Sequence, residues 1–311
     1  MRIKLAIGAF VSLVAILLGC MFLPKIEREG LLVLESTPYG ARLLAKRLVE
    51  PERAFAPEAW KKAGLTPESF QLDLGHGIKT LGLYVSAPKP SKGTVILLHG
   101  YANCLDVTAG FSRHLHDAGY NTLSIDQRGH GHNTARFCSF GFAEKRDVAS
   151  AISFLETKGL SHGPFMVLGT SMGAAVGIQA MESDPRIRCG VFDSSFDTLM
   201  RVAPSWIINA GIPNPSPVIN AAEDLIGSKL DSISPVSSIT RVDRPVFVLH
   251  GQDDGSIPKA SALELFNRSH SSKKRLLLVD HANHAEVLAD EEPWTKEVWA
   301  AIIRFLDDNR A

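Results

Sequence analysis

Apolar residues in this chain form one long run near the start and then many short runs separated by polar turns. Two of the short runs alternate polar and apolar positions, and Gly75-His76-Gly77 lies between them. That pattern predicts an antiparallel hairpin. The later runs are continuously apolar, as in parallel strands that are covered on both faces. The predicted strands are 69–74, 80–87, 94–98, 120–125, 164–168, 187–193, 245–249 and 275–280.

Helical periodicity appears between most of these strands. The predicted helices are 108–118, 143–157, 172–183, 259–268 and 293–308. Repeated alternation of strand and helix predicts an α/β fold, with a mostly parallel eight-stranded sheet and helices on both faces. Earlier in the chain, residues 34–50 have apolar positions at helical spacing, and Pro51 ends that pattern. We expect this amphipathic helix to pack under the domain or to bridge it to the segment before it.

The segment 195–240 interrupts the alternation. It contains Trp206, Ile207 and Ile212 together with several prolines, but it has no strand pattern. An insertion of this length is typical of a lid, and its apolar content could line a binding cavity. The alternative is a helical excursion on the surface with a small core of its own.

The first 30 residues differ in composition from the rest. Leu5 to Leu23 are 19 consecutive uncharged residues, and a helix of that length spans about 28 Å, close to the thickness of a bilayer core. Arg2 and Lys4 precede the run, which favours a cytoplasmic N-terminus and an extracytoplasmic remainder. The sequence therefore predicts an anchor or signal segment over 1–30, a helical lead-in over 31–68 and the main domain over 69–311. A lipoprotein modified at Cys20 and a secreted protein with a cleaved signal peptide are the alternatives.

Charge and cysteine content exclude several classes of protein. The 311 residues carry 33 basic and 33 acidic side chains, so the chain lacks the basic surplus of a nucleic-acid-binding protein. Four scattered cysteines without a C-x-x-C pair do not form a disulfide framework or a zinc ribbon. Cys104 and Cys138 could form a disulfide in an oxidising compartment. Cys104 could otherwise be a reactive thiol, although such a residue is more often simply buried.

Gly169-Thr170-Ser171-Met172-Gly173 is the clearest chemical motif. It follows the predicted strand 164–168 and begins the predicted helix 172–183. G-x-S-x-G in this context forms a tight turn that exposes the serine at the carboxyl edge of the sheet. Glycine is needed because side chains would clash within so abrupt a turn.

A serine hydroxyl needs a base, and the base needs an orienting acid. Asp254 and His284 each follow a predicted strand, in the order Ser, acid, His that this turn requires. The carboxyl ends of parallel strands meet at one edge of the sheet. Three alternatives stay open for these roles: Asp253 or Asp193 as the acid and His281 as the base.

No metal or cofactor is predicted. Arg128, His130 and His132 lie close together in sequence, but a turn braced by hydrogen bonds and ion pairs explains them better than a metal cluster. The sequence has no H-E-x-x-H, no Walker A motif and no G-x-G-x-x-G.

The chain from about 69 to 308 resembles the α/β-hydrolase superfamily, and within it the small-lidded serine hydrolases that are similar to serine aminopeptidase and monoacylglycerol lipase. The resemblance lies in Leu98-His99-Gly100-Tyr101, Asp126-Gln127-Arg128-Gly129-His130-Gly131, Gly169 to Gly173, Asp193-Ser194-Ser195-Phe196, His250 to Pro258, and His284.

The resemblance implies an α/β-hydrolase fold in which Ser171 is the nucleophile, His284 the general base and Asp254 its orienter. It also implies an oxyanion hole formed by the backbone N–H groups of Tyr101 and Met172. The expected function is hydrolysis of an ester or related acyl bond in a small-molecule substrate. Peptidase or aminopeptidase activity and acyl transfer on the same residues are alternatives, as is a non-catalytic binding protein with this fold.

Overall fold

The computed structural model describes residues 37–88 and 90–310. The predicted anchor at Leu5–Leu23 lies outside these residues. Within the described ranges, no helix is long and apolar enough to span a bilayer.

Eight strands form one sheet in the order β1-β2-β4-β3-β5-β6-β7-β8. β1 pairs antiparallel with β2, β2 pairs antiparallel with β4, and all the other pairs are parallel. The predicted hairpin and the mostly parallel sheet are therefore confirmed. The strands are β1 (Glu68–Asp73), β2 (Lys79–Val85), β3 (Thr94–Leu98), β4 (Asn121–Ile125), β5 (Phe165–Thr170), β6 (Ile187–Asp193), β7 (Val246–Gly251) and β8 (Lys274–Val279).

The helices are α1 (Pro38–Val49), α2 (Glu58–Lys62), α3 (Ala109–Asp117), α4 (Glu144–Thr157), α5 (Met172–Ser183), α6 (Leu199–Asn209), α7 (Ser216–Ile226), α8 (Pro235–Ile239), α9 (Lys259–Arg268) and α10 (Thr295–Asn309). The lead-in helix predicted over 34–50 is α1. It begins after Thr37, whose hydroxyl accepts a hydrogen bond from the N–H of Gly40 at 3.0 Å. The short helix α2 was not predicted, because five residues are too few to establish a periodicity.

The core has two layers, one on each face of the sheet. Alternate residues of β3 point to opposite layers: Ile96 and Leu98 lie in the layer with α1, α4 and α5, and Val95 and Leu97 lie in the layer with α3 and α10. Burial on both faces explains why these strands are continuously apolar. Each such side chain contributes about 1.5–3 kcal/mol when it is fully buried.

The insertion over 195–240 contains α6, α7, α8 and a 3₁₀ turn at Leu230–Ser232, joined by short loops. Two backbone hydrogen bonds join its two stems: the Leu199 N–H donates to the Ile233 carbonyl, and the Val236 N–H donates to the Asp197 carbonyl. Helix α1 packs against α7. The apolar residues of the insertion belong to the same core layer as α5, so the alternative of a separate small core is wrong.

Candidate active site

Ser171 lies in a strained turn between β5 and α5, with φ 53° and ψ −119°. Neighbouring atoms exclude a side chain at both flanking glycines. A Cβ on Gly169 would lie 2.3 Å from the Gly173 carbonyl oxygen, and a Cβ on Gly173 would lie 2.2 Å from the Leu98 carbonyl oxygen. The close approach of three backbone segments therefore requires the glycines of the motif, and the serine is held at the edge of the sheet.

The structure brings Ser171, His284 and Asp254 together from the carboxyl ends of β5, β8 and β7. The Ser171 Oγ lies 2.9 Å from the His284 Nε2, and the His284 Nδ1 lies 2.8 Å from the Asp254 Oδ2. A carboxylate only accepts hydrogen bonds, so the Nδ1 carries the proton and donates it to Asp254. The Nε2 is then free to accept the hydroxyl proton of Ser171.

The Asp254 side chain is fully buried, and its carboxylate is held by the backbone as well as by His284. Its Oδ1 accepts hydrogen bonds from the Ser256 and Ile257 N–H groups, both at 2.8 Å. Burial raises the pKa of this carboxyl, but the hydrogen bond from His284, its positive charge and the Ile257 N–H outweigh burial and lower the pKa overall. Asp254 is therefore charged near neutral pH, and it fixes the imidazole orientation.

The N–H groups of Tyr101 and Met172 are those that the resemblance assigns to an oxyanion hole. A Cβ on Gly100 would lie 3.4 Å from the Cβ of Ser171, so the turn that carries Tyr101 runs beside the serine. Within the described part of the chain, neither the Tyr101 nor the Met172 N–H donates a hydrogen bond. Two unpaired donors beside a serine hydroxyl can receive the oxygen of a substrate carbonyl.

His99 fixes that turn from inside the core. Its Nε2 accepts the Gln127 N–H at 3.0 Å, and its Nδ1 lies 2.8 Å from the Gly100 carbonyl oxygen. Burial lowers the pKa of His99 to about 4, so the ring is neutral near pH 7. The Tyr101 side chain is anchored separately, because its hydroxyl donates to the Arg47 carbonyl of α1 at 3.0 Å.

The alternative residues do not hydrogen-bond to the side chains of Ser171, His284 or Asp254. Asp253 and His281 face each other on the surface, where their side chains are 63% and 90% exposed and the carboxylate and imidazole are 3.7 Å apart. Asp193 is buried, and its carboxylate accepts hydrogen bonds from Thr170 and Ser194 rather than from His284. None of the three takes part in the hydrogen-bonded chain from Ser171.

Arg128, His130 and His132 form hydrogen bonds that stabilise the turn after β4. Arg128 donates two hydrogen bonds to Asp147, the His130 Nε2 accepts the Ala102 N–H, and the His132 N–H donates to Asp126. Across residues 37–88 and 90–310, no three His, Cys, Asp or Glu side chains are grouped to bind a metal.

The thiols of Cys104 and Cys138 are free, so the possible disulfide between them is absent. Burial raises the pKa of Cys104 to about 11, which leaves the thiol protonated and unreactive near neutral pH.

Known proteins match both the sequence and the fold. A family model described as serine aminopeptidase, S33 matches residues 89–240. The esterase Pf2001 of Pyrococcus furiosus superimposes with a TM-score of 0.70 at 22% identity, over 85% of this chain and 98% of that one. The family model covers just under half of the chain, and together with the solved structures it supports an α/β-hydrolase superfamily relationship. The sheet and helices of the chain accordingly form the α/β-hydrolase fold that the sequence predicts.

Two further proteins are similar to this chain. The monoacylglycerol lipase of Paleococcus ferrophilus has a TM-score of 0.56 at 21% identity, over 74% of this chain and 98% of that one. The uncharacterized protein YqkD of Bacillus subtilis (strain 168) is 26% identical over 235 residues, which are 70% of this chain and 72% of that protein.

The sequence motifs include the groups around the three side chains but do not reveal their hydrogen-bond partners. Asp254 accepts hydrogen bonds from the Ser256 and Ile257 N–H groups, and the His250 Nε2 lies 3.5 Å from its carboxylate. The Ser194 hydroxyl accepts the N–H of Ala285, the residue after His284. In the sequence, Asp193 and Ser194 belong to one of the motifs that carry the family resemblance, and Asp193 is an alternative candidate for the acid. The direction of the two side chains, which decides what they do, has no signal in the sequence.

Proposed function

We propose that this α/β hydrolase is a serine hydrolase that cleaves an ester or related acyl bond through an acyl-Ser171 intermediate. The observation that carries the proposal is the pair of hydrogen bonds, 2.9 and 2.8 Å long, that links the Ser171 hydroxyl through His284 to Asp254. A nucleophile, a base and an orienter in this geometry form the catalytic unit of acyl transfer.

In the first half of the reaction, the Ser171 Oγ attacks the substrate carbonyl carbon as its proton moves to the His284 Nε2. The carbonyl oxygen becomes negatively charged, and the Tyr101 and Met172 N–H groups stabilise it. His284 then returns the proton to the leaving alcohol, the carbon–oxygen bond to that alcohol breaks, and the acyl group remains on Ser171.

In the second half, a water molecule replaces the alcohol. His284 takes a proton from the water as its oxygen attacks the acyl carbon, and the same two N–H groups stabilise the second tetrahedral intermediate. The proton then passes from His284 to the Ser171 Oγ, which releases a carboxylic acid. The buried negative charge of Asp254 favours the positively charged imidazole in both halves.

The lid favours a substrate with an apolar acyl group. Phe196, Ile207 and Val218 lie in one apolar core with Met172, which directly follows the nucleophile, and Tyr101 packs against that core. Trp206 joins this region to the loop of the acid, because its indole N–H donates to the Ser256 carbonyl at 3.2 Å. The esterase and monoacylglycerol lipase neighbours support the same substrate class.

The N-terminal segment supports a membrane location. We propose that Leu5–Leu23 anchors the chain in a membrane with the hydrolase domain on the extracytoplasmic side. Helix α1 begins soon after that segment and exposes Tyr39 and Leu43 beside Arg42 and Arg47. Resistance of the membrane-bound full chain to alkaline carbonate extraction tests the anchor, and complete release into the soluble fraction would contradict it.

Hydrolysis of a series of p-nitrophenyl esters of increasing acyl length tests the proposed activity. The full chain should hydrolyse at least part of the series, and Ser171→Ala should abolish turnover without unfolding the protein. Equal turnover by the wild type and the variant would contradict the proposal.

Aminoacyl p-nitroanilides and acyl thioesters, assayed beside the esters, test peptidase and thioesterase activity on the same residues. The peptidase alternative has support from the serine aminopeptidase model and from a Pyrococcus horikoshii acylaminoacyl peptidase neighbour. Product analysis with an added alcohol or amine separates hydrolysis from acyl transfer. Inactivity toward all of these substrates would favour a binding protein.

A further inference from the structure

We propose that Asp193 is a positioning residue that, through Ser194, ties the loop of His284 to the turn of Ser171. The proposal deepens the proposed function and depends on it. The roles given above to Ser171, His284 and Asp254 do not involve Asp193 or Ser194.

Asp193 ends β6, which lies in the sheet between β5 and β7. It pairs with Thr170 on one side and with Leu249 on the other. Its carbonyl oxygen accepts the Ser171 N–H at 2.8 Å. The residue therefore lies between the strand that carries the nucleophile and the strand that leads to the acid.

The Asp193 carboxylate is fully buried, and two hydroxyl groups hold it. Its Oδ2 accepts a hydrogen bond from the Thr170 hydroxyl at 3.0 Å, and its Oδ1 accepts one from the Ser194 hydroxyl at 2.9 Å. It has no salt bridge within the described residues. Burial of a carboxylate without a cationic partner is costly, so a purely structural role explains this residue poorly.

Ser194 extends the connection to the histidine loop. Its Oγ accepts the Ala285 N–H at 3.2 Å, and Ala285 directly follows His284 in the chain. Ser194 and Ala285 have positive φ angles of 54° and 59°, and Ser171 has 53°. Three strained residues are thus joined by one set of hydrogen bonds, and strain of this kind persists only where the surroundings enforce it.

The charge of Asp193 acts on the same imidazole. Burial raises the pKa of Asp193 to about 7, the hydrogen bonds from Ser194 and Thr170 and the charge of His284 lower it, and the charge of Asp254 raises it. Asp254 therefore contacts His284 directly, whereas Asp193 interacts with it through charge alone. His250 is the other histidine beside Asp254, and burial lowers its pKa, so it adds no positive charge near neutral pH.

Ser194→Ala is the central test variant, and Ser195→Ala is its matched control. Both residues are buried, but the Ser195 hydroxyl donates only to the neighbouring Phe196 carbonyl. Ser194→Ala releases the Ala285 N–H and leaves the Asp193 carboxylate in place. Asp193→Asn keeps the shape of the side chain and removes its negative charge.

The kinetic measurement is kcat and KM on the best ester, as a function of pH, with the full chain. We expect Ser194→Ala to lower kcat by about 10–100-fold with little change in KM, because small displacements of a catalytic base cost this much. Ser195→Ala should stay within about threefold of the wild type. Asp193→Asn should also lower kcat with little change in KM, because an amide offers one acceptor oxygen where the carboxylate offers two to the Thr170 and Ser194 hydroxyls.

Equal kcat values for the Ser194→Ala and Ser195→Ala variants would overturn the proposal, as would a wild-type kcat in Asp193→Asn. If Asp193→Asn does not fold, the Ser194→Ala and Ser195→Ala pair decides alone. Failure of the proposed function is distinguishable, because the wild type itself would then show no turnover that depends on Ser171, and the positioning role would be refuted with it.

Discussion

Two regions at the carboxyl edge of the sheet contain the same residue types with different partners. The turn after β4, residues 126–133, contains Asp126, His130 and His132. The Ser171 site contains Asp254, His284 and the serine itself. Both combine a buried aspartate with histidine side chains, so residue type alone does not distinguish them.

The partners distinguish the two regions. Asp126 accepts the Leu105 and His132 N–H groups, both at 2.8 Å, and the Arg53 guanidinium donates to four carbonyl oxygens of residues 130–135. The turn after β4 is therefore held mainly by backbone groups. In the Ser171 site, side chains bond to side chains, and the chain ends at a hydroxyl beside two unpaired N–H groups. Bonds to backbone fix a turn, whereas a chain of side-chain bonds that ends at an open hydroxyl can transfer a proton to a substrate.

The largest expected effect is the loss of activity in the His284→Ala variant. We expect kcat/KM for an ester to fall by about 10⁴-fold, since the serine loses its base. The free energy of unfolding should fall by about 1–3 kcal/mol, because the buried Asp254 carboxylate loses the hydrogen bond from His284. Ester kinetics measure the activity, and urea unfolding of the same preparation measures the stability. If His284→Ala retained a tenth of wild-type activity, the distinction between a catalytic Ser171 site and a structural turn after β4 would be contradicted.

The second effect is a pH-dependent difference in stability between the wild type and Asp193→Asn. The folded pKa of Asp193 is about 7, above the ordinary value of 3.8. The folded state therefore binds more protons in that window, and the stability contributed by this group is lost as pH rises from about 4 to about 7. Asn does not titrate. As pH rises through this window, the free energy of unfolding of Asp193→Asn should therefore increase relative to that of the wild type by on the order of 4 kcal/mol.

Urea unfolding at pH 4.5, 6 and 8 measures this difference. A stability difference between the two proteins that stays constant with pH would show that Asp193 has no raised pKa. Ser195→Ala is the control, because neither serine nor alanine titrates in this pH range.

The third effect is a loss of stability in the Asp126→Ala variant, the counterpart of His284→Ala in the other region. Removal of this carboxylate leaves the Leu105 and His132 N–H groups without their acceptor, and we expect unfolding to become easier by about 3 kcal/mol. The folded fraction should keep ester hydrolysis within about tenfold of the wild type. Activity lost as completely as in His284→Ala, with unchanged stability, would reverse the assignment of the two regions.

The sequence predicted the strands and the three side chains of the Ser171 site because each has a local signal. The limits of β3 and β6 match the predicted 94–98 and 187–193, since both strands are apolar runs with polar neighbours. Ser171 lies in a turn that requires glycines on both sides, and Asp254 and His284 each follow a strand. These features depend on residues adjacent in the chain.

Other features depend on residues that are distant in the chain, and the sequence did not reveal them. The contact between the Tyr101 hydroxyl and Arg47 joins residues 54 positions apart, and Arg53 reaches a turn about 80 positions away. The link from Asp193 through Ser194 to Ala285 depends on the direction of two side chains at a strand end. Periodicity and motif spacing carry no information on such directions.

The most direct test of the central claim is to find the atom that a fluorophosphonate modifies. The full chain is treated with the reagent, digested, and mapped by tandem mass spectrometry. The account predicts one phosphonylated residue, Ser171, with no adduct in Ser171→Ala and a strongly reduced rate of labelling in His284→Ala. An adduct on another residue, or equal labelling of the wild type and Ser171→Ala, would contradict it.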